Sequence, residues 1–363
     1  MNLKHVTLVI AFMLFVFVTC PVHGVKVELK ETFNFSPQTE KPKVVKDFCV
    51  IDDGLIIISD YGAGNLKVYE SNKKSLELIQ TIGYKGYGPN GFIRPSVCSY
   101  SREENRFVVL DIGIRKIFIY NRMGRTDFER DPLEILCWRG AFDLQLKNGR
   151  VFISGYAEDN AKNGYDFYYV DLKNGKKSKY LLTPSDKFGI SLPKDQNYFV
   201  TSIIPLGVKG WFDLKDDVAY FVWEANSRRI IEIDTNSGTV SKIFPKTLLA
   251  SPTESLAPKI IAELDDLRKN DDLIQYEKKR VKALPIVRNL FITKNNNVLL
   301  IVEGPFLGSG ESSFQAQLFT NRDLKGTVLI PSMQPNSNIF YDKTEGCLWA
   351  LSNDSILQYR VIE

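Results

Sequence analysis

The sequence predicts an all-β protein, a six-bladed β-propeller with a small helical insertion between blades 4 and 5. Three observations carry that reading. Apolar runs recur as hairpins at a nearly constant interval. Turn residues stand before the strands. Aromatic residues make up 12% of the chain, and most lie in short runs beside Val and Ile, which suits a pleated, half-buried surface. The composition is that of a globular chain: 363 residues, 44% hydrophobic, 25% charged, with 24 Gly and 16 Pro. A net charge of +4 is small against 47 basic and 43 acidic side chains, and no five like charges run together. Nucleic acid is therefore not an expected partner.

Residues 1–24 read as a secretory signal peptide. Lys4 supplies the basic start, Leu8–Val18 is unbroken apolar sequence, and Val22-His23-Gly24 puts small or modest side chains at the cleavage site. That run is too short to span a bilayer comfortably, and no other stretch approaches the ~18 apolar residues of a membrane helix. The expectation is an exported protein (periplasmic, cell-surface or extracellular) with no transmembrane segment. Lipidation at Cys20 is the competing reading, which Phe17-Val18-Thr19 fit poorly as a lipobox. The only histidines, His5 and His23, fall in this segment, so residues 25–363 contain none. Ser-His-Asp and Cys-His nucleophiles and His-bound zinc are thereby excluded. Catalysis would have to use carboxylates, Lys, Tyr, Arg or a Ca²⁺-like ion held by oxygens. Cys49, Cys98, Cys137 and Cys347 form no CxxC pair. Three of them sit in apolar runs and read as buried thiols, with disulfides as the alternative that export permits.

The propeller is expected to occupy residues 25–363. Val25–Phe35 largely alternates apolar and polar residues, which makes it the donor of an outer strand. Hairpins follow at Leu55–Asp60 with Leu66–Glu70, Phe107–Asp111 with Ile117–Asn121, and Val151–Ser154 with Tyr168–Asp171. Three more follow at Ala219–Glu224 with Ile230–Asp234, Val298–Glu303 with Gln317–Phe319, and Leu348–Ser352 with Ile356–Tyr359. Turn residues precede them: Asp52-Asp53-Gly54, Glu103-Glu104-Asn105, Lys147-Asn148-Gly149, Asp216-Asp217, Asn295-Asn296-Asn297 and Thr344-Glu345-Gly346. The result is six units of roughly 56 residues, the length of a four-stranded blade. The chain ends just after the third strand of the sixth unit, so Val25–Phe35 is expected to complete that sheet and close the ring. About residues 253–284 break the pattern, with apolar residues at Ile260, Leu264, Leu267, Leu273 and Ile274. Ser255 and Asn270-Asp271 are N-cap candidates and Pro285 a stop, so two short helices are expected there, as a side-packed excursion or as a lid or partner surface.

One stretch carries a family likeness. Ile82-Gly-Tyr-Lys-Gly-Tyr-Gly-Pro-Asn-Gly-Phe-Ile-Arg-Pro95 resembles the Gly-rich connector of NHL-type propellers, where G-x-G-P-G-x-F-x-x-P leads into the next blade. Asn90 stands where a Gly is usual, and the glycine falls one place later at Gly91. The likeness covers roughly residues 80–121, and the whole layout is similar to exported bacterial propellers of the NHL/TolB-like group. That group includes binding proteins, proteins of unknown role and some enzymes, so the resemblance implies a fold more than an activity. Its NHL-like lyases, which act on amidated-peptide precursors, use metal-binding histidines that residues 25–363 lack.

In a four-stranded antiparallel blade, the loop between the second and third strands and the connector to the next blade emerge on the same end. These loops ring the channel mouth, the usual place for a propeller ligand. An acidic residue ends the second strand in four units: Asp60, Asp111, Glu224 and Glu303. With Tyr61, and with Arg115 and Arg228 as counter-charges, they form the candidate ligand-binding set. Such a ring suits a cation or a hydroxyl-rich ligand; the plainer reading is that each carboxylate satisfies loop N–H groups. Trp138, Trp211 and Trp223 could stack on a sugar or pack in the core. The Gly-rich 83–91 segment lacks the Lys-Ser/Thr and helix of a phosphate cradle. The expected function is therefore an exported binding protein without catalytic activity, its partner an unknown small molecule, glycan or protein. The alternative is a carboxylate-dependent lyase or hydrolase on glycans or esters. No cofactor is expected under the first, and Ca²⁺ is a candidate under the second.

Overall fold

The computed structural model describes residues 25–363 except 52–53, 73, 137–140, 157–164, 182–209, 224–229, 244–285, 306–311, 334–336 and 353–354. Every regular element among the described residues is a strand. They begin with β1 (Lys26–Phe35), β2 (Val45–Val50), β3 (Leu55–Asp60), β4 (Asn65–Asn72) and β5 (Ser75–Ile82). The short β6 (Tyr84–Lys85) and β7 (Gly91–Phe92) pair in parallel within the connector. A second group is β8 (Pro95–Ser101), β9 (Arg106–Asp111), β10 (Lys116–Arg122) and β11 (Phe128–Leu136). A third is β12 (Ala141–Lys147), β13 (Arg150–Tyr156), β14 (Tyr165–Asp171) and β15 (Lys177–Leu181). Next come β16 (Gly210–Lys215), β17 (Val218–Trp223), β18 (Ile231–Asp234) and β19 (Val240–Ile243), then β20 (Ile286–Ile292), β21 (Val298–Pro305), β22 (Ser312–Thr320) and β23 (Asp323–Ile330). The chain finishes with β24 (Asn338–Asp342), β25 (Cys347–Leu351) and β26 (Ser355–Ile362).

Strands β2–β5, β8–β11, β12–β15, β16–β19 and β20–β23 are antiparallel meanders of four. The last three strands receive their fourth from the other end of the chain: β1 runs antiparallel to β26 from Lys26↔Ile362 to Asn34↔Ser355. Asn34 and Phe35 also pair with Ser75 and Leu76 of β5, which joins the last sheet to the first. The first strands meet in succession: β2 on β8, β8 on β12, β12 on β16, β16 on β20, β20 on β24, and β24 on β2. Four-stranded sheets set radially, with first strands innermost, make a β-propeller.

The sequence follows from that packing. Second strands are covered on both faces and so read as continuous apolar sequence; every residue of β3 is buried. Outer strands such as β5 alternate between buried and exposed. Neighbouring sheets share separate cores. Leu55, Ile57, Val68, Phe92, Phe107 and Phe118 fill the one between the first two sheets. Phe33, Phe48, Ile56, Leu76 and Trp349 fill the one between the last sheet and the first. Each sequence-predicted hairpin is paired: β3 with β4, β9 with β10, β13 with β14, β17 with β18, β21 with β22 and β25 with β26. The expected turns hold residues in the left-handed region, including Asn105 (φ 53), Asn148 (φ 52), Asp216 (φ 50) and Asn296 (φ 64).

Residues 1–24 and the helices expected at about 253–284 lie outside the described residues. No helix among the described residues is long and apolar enough to cross a membrane. Cys49, Cys98 and Cys347 are buried and free, and Cys137 lies outside the described residues.

Candidate functional site

Asp60 closes β3, and its carboxylate is spent on the backbone. The N–H groups of Lys43 and Val44 donate to Oδ2 and Oδ1 at 2.9 and 3.1 Å, and that of Ala63 to Oδ1 at 3.0 Å. Asp111 closes β9 in the same way. Ile93 N–H reaches Oδ2 at 2.6 Å, and Arg94, Gly113 and Ile114 reach Oδ1 at 3.0, 2.8 and 3.3 Å. Each carboxylate ties the connector that enters its sheet to the loop that leaves its second strand. Both are fully buried. Their charge is thus matched by converging peptide dipoles.

The exposed chemistry beside them is cationic and aromatic. The Lys46 ammonium lies 5.3 Å from the Tyr61 ring centroid and the Arg94 guanidinium 5.7 Å, so the half-buried phenol ring has two cations over it. Arg115 is exposed in the neighbouring loop, its backbone in the left-handed region (φ 57). Glu224 and Arg228 lie outside the described residues. Glu303 pairs through its backbone with Ile286 and Phe314, but its side chain is not among those described.

The Gly-rich connector places Arg94. Gly91 has no room for a side chain, since a Cβ would come within 2.2 Å of the Gly86 carbonyl oxygen. Gly83 (φ 78) turns the chain out of β5. Between them the segment folds back through the β6–β7 pair and drives Phe92 into the core against Phe118, with ring centroids 5.6 Å apart. Phe92 is 0% exposed, so its neighbours Ile93 and Arg94 are held where their N–H groups meet Asp111.

A second polar set lies on the innermost strands and escaped the sequence reading. Asp47 Oδ2 accepts from Cys98 N–H at 2.9 Å, and Asp143 Oδ2 from Phe212 N–H at 3.1 Å. Asp213 Oδ2 accepts from Ile292 N–H at 2.6 Å, and Asn289 Nδ2 donates to the Ile339 carbonyl at 3.2 Å. Each link joins one inner strand to another. Lys343 Nζ adds bonds to Asp213 Oδ1 at 2.6 Å and to the Leu214 carbonyl at 3.0 Å. Burial pushes the Asp47 carboxyl up to about 7 against the pull of its backbone hydrogen bonds. Burial also raises Asp143, helped by the charges of Asp47 and Asp213. The signal was a polar residue recurring inside an apolar first strand, as in Asp47-Phe-Cys-Val, Asp143-Leu-Gln-Leu and Asn289-Leu-Phe-Ile. Among the described residues no group of three or more His, Cys, Asp or Glu is placed to hold a metal ion.

Of the candidate stacking residues, Trp211 packs in the core beside β20, its Nε1–H on the Val287 carbonyl at 3.2 Å. Trp138 and the Trp223 side chain lie outside the described set.

The chain matches no known protein family and no curated protein. It is similar to the crystal structure of a member of the DUF4221 family from Bacteroides vulgatus. The TM-score is 0.59 and the identity 12%, covering 94% of this chain and 99% of that one. It is also similar to a protein from Bacteroides fragilis described as exported, with a TM-score of 0.55 and 13% identity, covering 93% and 95% of the two chains. At such identities the likeness is one of fold alone.

Proposed function

We propose that residues 25–363 form a six-bladed propeller, exported behind the 1–24 leader, that binds a ligand or protein at its channel mouth without catalytic activity. The observation that carries this reading is the division of labour at the mouth. Asp60 and Asp111 are occupied by seven loop N–H groups. Lys46 and Arg94 flank the ring of Tyr61. Carboxylates so engaged are poorly placed to take a proton or an ion, which favours binding over the carboxylate-dependent lyase or hydrolase. Arg115, exposed in the neighbouring loop, extends the cationic rim. The ligand that fits this rim carries oxygen anions, as an acidic glycan or an acidic peptide segment does.

A glycan array probed with residues 25–363 tests the reading. Carboxylated or sulfated glycans are expected to be retained, with retention falling as salt rises through about 0.1–0.5 M. Loss of retention in Lys46→Ala and Arg94→Ala would assign it to the mouth. Retention of only neutral or basic glycans, or release of a cleaved product, would contradict it. Calcium separates the enzymatic alternative: a Ca²⁺-assisted site predicts a rise in Tm on adding the ion, and the binding reading predicts none.

A further inference from the structure

Two glycines of the connector are not explained by its backbone. Gly86 and Gly88 lie outside the left-handed region, so conformation does not call for glycine at either. What they make room for is Tyr84. A Cβ on Gly88 would stand 1.9 Å from the Tyr84 hydroxyl oxygen and 3.1 Å from Cζ, and one on Gly86 would stand 3.0 Å from Cε2. The ring edge thus lies along the backbone of both glycines, while Tyr84 as a whole is 51% exposed. The bed beneath the ring is fastened. Tyr84 N–H donates to the Asn90 carbonyl at 3.3 Å, Gly86 N–H to the Phe92 carbonyl at 3.0 Å, and Gly91 N–H to the Gly88 carbonyl at 2.9 Å. Tyr87, in the same segment, is 83% exposed. Lys85 stands next to Tyr84 in the chain. A Cβ on Gly64 would be 3.0 Å from its Cβ and Cγ, so the Lys85 stem lies on the loop that begins at Tyr61. Lys85, Lys46 and Arg94 are exposed, and none has an ion-pair partner among the described residues.

We propose that Tyr84 and Tyr87 are the stacking platform of the mouth, and that its ligand is an acidic glycan, a chain of uronate sugars, rather than an acidic peptide. This rests on the mouth-binding reading and narrows it. A ring half in water adds little to a core, so packing does not account for the room left at Gly86 and Gly88. A pyranose presents a face of C–H groups that an aromatic surface covers, and a uronate carries its carboxylate at the edge of that ring, where Lys85 stands beside Tyr84. An acidic peptide holds its carboxylates on flexible stems and has no such face, so cations alone suffice for it. Trp211, a stacking candidate by sequence, is in the core, and the connector tyrosines take that place at the rim.

The test is calorimetric titration of residues 25–363 with two probes of equal charge, a galacturonate hexasaccharide and a glutamate hexapeptide with blocked ends. The hexasaccharide is expected to bind about tenfold more tightly than the peptide. Tyr84→Ala is expected to weaken the hexasaccharide about tenfold and to leave the peptide unchanged, whereas Tyr84→Phe keeps both. Gly88→Ala displaces the ring without touching a charge. It is expected to weaken the hexasaccharide alone and to add nothing to Tyr84→Ala. The Tm of each variant reports that its fold is kept. Equal affinity for the two probes, or hexasaccharide binding indifferent to Tyr84→Ala, would overturn the platform. If Lys46→Ala still weakens that binding, the mouth reading stands without it. Binding of neither probe would overturn the proposal as well, and the glycan array then decides the mouth reading by itself.

Discussion

Asp111 shows how much a single carboxylate fixes. Four N–H groups converge on it, those of Ile93 and Arg94 from the connector before its sheet and those of Gly113 and Ile114 from the loop after its strand, the most distant 18 residues away. In Asp111→Ala those donors lose their acceptor in a buried place, at a cost of about 2–4 kcal/mol. Asp111→Asn keeps one acceptor oxygen and costs less. Chemical denaturation of the pair measures both. The recurring acid was legible in the sequence, and so was the plain role that the geometry now gives it at Asp60 and Asp111. The cations were less legible. Lys46 and Arg94 come from different segments and meet only over Tyr61, a proximity that no spacing along the chain announces.

At the scale of elements, hairpins were the readable feature. Their apolar runs are local, and the left-handed turn residues between them are chemically marked. The connector was readable too, because Gly83 and Gly91 answer to steric demands that only glycine meets. Its anchor is Phe92. Truncating this fully buried ring in Phe92→Ala is expected to cost about 3–5 kcal/mol and to loosen the segment that carries Arg94. Equilibrium unfolding measures the first effect, and hydrogen exchange at Ile93 and Arg94 the second. Links between inner strands could not be read in this way. Asp47 and Cys98 belong to different sheets, and a lone Asp in an apolar run does not name its partner.

Those links make the whole molecule sensitive to pH. In the folded state Asp47 titrates near 7 and Asp143 is raised as well, whereas the unfolded chain releases these protons near 4. Between about pH 4 and pH 7 the folded state therefore binds more protons, and stability falls as pH rises through that window. Depressed carboxyls oppose this at the acid end: Lys67 lowers Glu40, and Ser237 lowers Asp234, so their support is lost as pH falls below the usual carboxylate range. Melting temperatures are expected to peak near pH 5 and to decline toward pH 8 by about 1–3 kcal/mol in stability. Asp47→Asn, which keeps an acceptor for Cys98 N–H but carries no charge, is expected to flatten that decline. An unchanged slope would locate the effect elsewhere.

Closure holds the last sheet against the first, which share one core. The alternating Val25–Phe35 segment made it foreseeable, and β1 on β26 carries it. The direct measurement is a cross-link between register partners at the two chain ends, Lys26→Cys with Ile362→Cys, both exposed. Peptide mapping by mass spectrometry after exposure to a glutathione redox buffer should find residue 26 joined to residue 362, with Tm raised above that of the reduced protein. Failure of these two positions to join, or their capture by other cysteines, would mean that the ends do not meet and that the ring is not closed by the first strand.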